Sequence, residues 1–115
     1  MAASNHNEEQ RQRTSAKIRA LAQSILSGEL GVVEGSRHLA KLGFEVGAED
    51  DPRFIFFVGV DSETDHLPLG EVRHHWSPDA LLAKDEELKS FEISVRERAF
   101  EICRSLIDKY DIKIR

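Results

Sequence analysis

From Ser15 onward, apolar residues return every three or four positions: Ile18, Leu21, Ala22, Ile25 and Leu26 lie on one stripe. That is the spacing of an amphipathic helix. Gly28 stands where a helix-terminating glycine belongs. A second, weaker pattern over about Leu30–Leu42 places Val32, Leu39 and Leu42 on one side. Gly43 reads as its stop, with Phe44 folding back on Leu39 or Ala40. Gly35 falls inside this helix, where glycine costs about 1 kcal/mol against alanine. Its expected use is to let another helix come close. The two segments predict a helical hairpin.

The run Phe54-Ile-Phe-Phe-Val-Gly-Val60 pulls two ways. Aromatic and β-branched residues without alternation suit a buried strand, whose partner would be Gly70–Trp76. The flanks suit a helix, because Asp51 is a good N-cap and Pro52 fits the first helical position. A lone two-stranded hairpin is marginal in water. The expectation is therefore a mostly α fold. An α+β fold with a small two-strand hairpin at about 54–60 and 70–76 is the alternative.

Ser77, Pro78 and Asp79 open the clearest element as cap, first helical residue and dipole-complementing acid. Leu88, Phe91, Val95, Ala99, Ile102, Leu106 and Tyr110 follow in steps of three and four. A helix from Pro78 to Tyr110 would be about 50 Å long at 1.5 Å per residue. A globule of this chain length is roughly 35 Å across. Such a helix must kink near Lys84–Glu87 or pack its end on a second subunit, so a homodimer through it is one expectation.

Length and composition change this picture little. The 115 residues are 40% hydrophobic and 32% charged, an ordinary single-domain composition. Residues 1 to about 10 are polar or small and predict a flexible tail before one helical domain, 11–115. Cys103 is the only cysteine, which excludes an internal disulfide or a multi-cysteine zinc site. The start carries no secretory pattern, and the longest apolar run is far short of the ~20 residues a membrane helix needs. No membrane association and a cytoplasmic location are expected.

Charge is more informative than its sum. The net −5 disfavours nucleic acid as a partner. Residues 44–72 hold eight acids and only Arg53 as a base, whereas residues 11–43 hold six bases and two acids. The acidic stretch would solvate a loop-rich edge, or attract a basic protein and speed encounter.

Candidate chemistry concentrates at Asp61-Ser-Glu-Thr-Asp-His66. Alternating Asp61, Glu63 and Asp65 suggest a calcium loop, but that loop needs glycine at its sixth position and glutamate at its twelfth. This sequence has His66 and Val72 there. Asp61, Asp65 and His66 remain weak candidates for another metal geometry. The bland reading makes Asp61, Ser62 and Thr64 capping residues at an element boundary. His74 and His75 are adjacent and point apart, so both do not readily share one metal. Trp76 beside Arg73 suits either a staple against Leu81 or Leu82, or an interface anchor. No nucleophile elbow or phosphate loop occurs. Cys103, among apolar neighbours, reads as buried and inert. No catalytic residue and no cofactor is assigned.

The string Asp61-Ser-Glu-Thr-Asp-His-Leu-Pro68, then Arg73, Trp76, Ala80-Leu81, Lys84-Asp85 and Ala99–Leu106, resembles a family of small bacterial proteins of unknown function. The likeness takes in the hairpin as well, over about residues 15 to 108. It implies no activity. Small acidic single-domain proteins of this sort are also similar, as a class, to bacterial immunity proteins.

Together these readings point to a non-catalytic protein-interaction domain of immunity-like or regulatory type. It would dock a basic protein through Asp61, Glu63, Asp65, His66, Arg73 and Trp76. The rival is a metal-dependent hydrolase built on the same Asp/Glu/His cluster.

Overall fold

Four helices and one 3-10 turn make up the computed structural model, which describes residues 2–111, with side chains from residue 8. In chain order they are α1 (Ala2–Ser27), α2 (Val32–Glu45), α3 (Pro52–Glu63), the 3-10 turn Gly70–His75, and α4 (Pro78–Lys109). The mostly α expectation holds. No strand occurs among the described residues, and the stretch offered as the second strand of a hairpin is the 3-10 turn. Asp51 decides the matter at 54–60. Its carboxylate accepts a hydrogen bond from Arg53 N at 2.9 Å and so caps α3, with Pro52 next. Phe54, Phe57 and Val60 then face inward at helical spacing.

The segment expected to be a tail, residues 1–10, is from Ala2 onward the first part of α1. Met1 and residues 112–115 lie outside the described residues. The hairpin forms as read, with one correction at its end. Helix α2 runs past Gly43 to Glu45. Gly43 is buried, and a Cβ placed on it would lie 2.6 Å from a ring carbon of Phe54. It is a close-approach residue between α2 and α3. The terminator is Gly47, at φ +71°, a conformation that glycine adopts without strain. Phe44 does not fold back; it is 64% exposed. Gly35 does what was expected of it: a side chain there would collide with Ile25 of α1.

The core gathers Ile18, Ala22 and Ile25 of α1, Leu39 and Leu42 of α2, Phe54 and Phe57 of α3, and Ala99, Ile102, Cys103 and Leu106 of α4. Each large side chain buried here contributes roughly 1.5–3 kcal/mol. α1 and α4 run antiparallel, since Arg19 reaches the Tyr110 carbonyl and the Asp111 carboxylate while the turn after α1 lies beside Glu92, Arg96 and Phe100.

α4 is continuous through Lys84–Glu87 and overhangs this core. Its buried residues all lie in its last third, and none between Pro78 and Arg98 is buried. The molecule is accordingly long, 57 × 28 × 25 Å, with a radius of gyration of 16.0 Å where about 13 Å is usual for this length. Where α4 leaves the core it caps a neighbour. The N-cap of α2, Gly31, has no side chain, and Glu92 of α4 accepts a hydrogen bond from Val33 N at 2.9 Å in its place. A carboxylate at a helix N-terminus also meets the positive end of its dipole.

Candidate functional site

The polar stretch 61–76 begins as the last turn of α3 and crosses to the start of α4. Thr64 ends the helix by donating its hydroxyl to the Val60 carbonyl at 2.6 Å, and it is buried. Leu67 and Pro68 turn inward and anchor the loop. Beneath them lies Arg37 of α2. Its Nη2 donates to the carbonyls of Thr64, at 2.6 Å, and Leu67, at 3.1 Å. Its Nε lies 3.4 Å from Asp61 Oδ1, close enough for charge attraction though not aligned as a hydrogen bond. One guanidinium thus serves two loop carbonyls, and that of Thr64 also accepts from Leu67 N at 3.0 Å.

Two further pairs strap the loop to the overhanging half of α4. Arg73 donates from both terminal nitrogens to the two oxygens of Asp85, each at 2.8 Å, and also to the Pro68 carbonyl at 3.2 Å. Bidentate pairing of this kind is the stronger and more directional form of Arg–carboxylate contact. It holds the Asp85 carboxyl below the usual carboxylate range. His66 Nε2 meets Glu87 Oε2 at 2.5 Å. This contact with His66 first, and attraction to Lys84 after it, keeps the Glu87 carboxyl low against the opposing effect of desolvation.

The six residues singled out by sequence thus divide. Asp61, His66 and Arg73 are engaged within the molecule, with Arg37, Glu87 and Asp85. Glu63 and Asp65 are exposed, and Trp76 is half-buried. The structure does not bring Asp61, Asp65 and His66 into one ligand set, and among the described residues no three His, Cys, Asp or Glu side chains are gathered to hold a metal.

What the sequence did not reveal is the outer face of α3. Ile55, 53% exposed, and Val58 lie open on it. Exposed acids stand at both ends, Glu49 and Asp50 before the helix, Glu63 as its last residue and Asp65 just beyond it. The signal is an apolar run one stripe wider than the core needs.

A second polar knot was also missed. Arg53 donates Nε and Nη2 to the two Asp51 oxygens, at 3.0 and 2.9 Å, and Nη1 to Ser105 Oγ of α4 at 3.0 Å. Lys109 Nζ approaches Asp51 Oδ2 at 3.5 Å. The hydrogen bonds from Arg53, above all, hold the Asp51 carboxyl at about 2. This knot pins the start of α3 to the end of α4. Cys103 lies in the core, and burial pushes its thiol up to about 12. At neutral pH it is therefore protonated and a poor nucleophile.

Among the described residues no helix is long and apolar enough to cross a membrane. No family model matches the chain, nor does any curated protein or solved structure.

Proposed function

We propose that this protein is a non-catalytic interaction domain of immunity-like or regulatory type, which receives a basic protein on the outer face of α3 and the loop that follows. One observation carries the reading: an exposed apolar pair, Ile55 and Val58, set between exposed carboxylates at both ends of one short helix. Interfaces commonly pair an apolar centre with a charged rim. Acids around it speed encounter with a basic partner. Asp61 and Arg73 serve this face by holding its loop in shape through Arg37 and Asp85. Glu63 and Asp65 meet the partner, with Trp76 as an aromatic anchor at the far end.

The test is capture from lysate of the source cell by the wild-type protein and by the Glu63→Lys, Asp65→Lys double variant. Both positions are exposed, so the variant should fold. A basic protein held stoichiometrically by the wild type and released by the variant or by high salt supports the reading. Identical captures by both proteins would overturn it.

A further inference from the structure

Beside the stripe of α4 that faces the body runs a second one. Asp79, Leu82, Glu86, Lys89, Ile93 and Arg96 follow one another in alternating steps of three and four, and all six are exposed. Leu82 and Ile93, at 64% and 56%, are among the most exposed large apolar side chains of the molecule. None of the four charged residues takes part in an ion pair among the described residues. A step averaging 3.5 residues keeps such a stripe on one side of a helix over several turns and suits packing against another helix at a shallow angle.

The order along the stripe is acid, apolar, acid, base, apolar, base. Reversed, the same order exchanges every acid for a base and leaves the apolar positions where they were. A second copy of α4 laid antiparallel, with the two-fold axis between Glu87 and Leu88, sets Asp79 against Arg96, Leu82 against Ile93 and Glu86 against Lys89. The two-fold repeats each pairing. Parallel in-register packing would set each residue against itself, acid on acid and base on base, so the charges select the antiparallel arrangement.

We infer that this flank of α4 is a self-complementary surface through which two copies of the chain associate antiparallel. The occupant follows from charge complementarity, since the pattern matches its own reverse complement at every position of the stripe. The inference stands apart from the acidic face of α3 and survives if that reading fails. With only two apolar pairings, and charges exposed at the rim, association will be modest, concentration-dependent and weakened by salt.

Sedimentation velocity from about ten micromolar to about one millimolar protein, at low and high salt, tests it. The wild type should dimerise, less so in salt. Glu86→Lys and Lys89→Glu each put like charges together twice and should each weaken the dimer about tenfold or more. Mixing the two single variants should restore association, since each then supplies the charge the other lacks. The double variant, with both charges exchanged, should dimerise like the wild type. Both positions are exposed, and circular dichroism of each variant checks that the helices are intact. A wild type monomeric throughout, single variants that dimerise unchanged, or a mixture that stays monomeric would each overturn the inference.

Discussion

The two ends of α4 are held by different physics. Its last third is buried by apolar contact, with Ala99, Ile102, Cys103 and Leu106 inside the core. Its first two thirds have no buried residue and are held by polar straps, Arg73 on Asp85 and His66 on Glu87. Burial of apolar surface is non-directional and strong, so that end fixes the fold. Exposed pairs contribute little free energy but fix direction, which is what an extended platform needs. One helix therefore serves as core element and as outrigger. Glu92, at the junction, belongs to both regimes: it lies on the body-facing stripe yet acts through a hydrogen bond to Val33 N.

The largest effect that separates the two ends is a cavity in one and a trimmed surface in the other. Leu106→Ala should destabilise by about 2–5 kcal/mol, because the side chain is fully buried and its surroundings come from several helices. Leu82→Ala, 64% exposed on the same helix, should change stability by no more than about 0.5 kcal/mol in dilute solution. Denaturant unfolding of both variants measures the difference. Similar losses would mean that the outer half is as much a part of the cooperative unit as the inner.

Acid should act on the inner end next. The Asp51 carboxyl lies at about 2 in the folded protein against 3.8 ordinarily. A folded value below the unfolded one means that the contribution is fully present above pH 4 and is lost as pH falls toward 2. Asparagine keeps the capping oxygen and removes the charge. Asp51→Asn should therefore be less stable than the wild type by about 2 kcal/mol at neutral pH. That deficit should shrink below pH 4 and vanish only below pH 2. A deficit independent of pH would show that the knot with Arg53 and Lys109 acts through packing rather than charge.

How much of this was legible in the sequence follows from the range of each signal. Helix spacing and caps are local, so the hairpin, α3 and the extent of α4 were readable from residues such as Asp51, Pro52, Ser77 and Pro78. Gly43 was misread because a glycine that ends a helix and one that admits a neighbour look alike without knowing that Phe54 packs there. The candidate loop was readable as a polar cluster, but not the use of its charges. Arg37, Asp85 and Glu87 lie on other elements, and no local pattern pairs them with Asp61, Arg73 and His66. The open face of α3 was hidden for the opposite reason. An apolar run does not say which of its residues the core will use, and only the packing shows that Ile55 and Val58 stay outside.

The smallest expected effect tests the outrigger itself. Arg73 joins the Pro68 carbonyl to both oxygens of Asp85, so it fixes the loop in two directions at once. Arg73→Gln keeps a polar side chain but removes the charge and the two-pronged geometry. The core lies elsewhere, and the global unfolding midpoint should stay where it is. Local opening should become easier, because a segment with few buried contacts opens independently of the whole. Amide exchange should therefore quicken within residues 69–77 and the first turns of α4 while Ile102–Leu106 keep wild-type protection. Quickening spread evenly over the molecule would contradict the division drawn between the two ends of α4. Unchanged exchange in the loop would show that Leu67 and Pro68, together with Arg37, hold it without the strap.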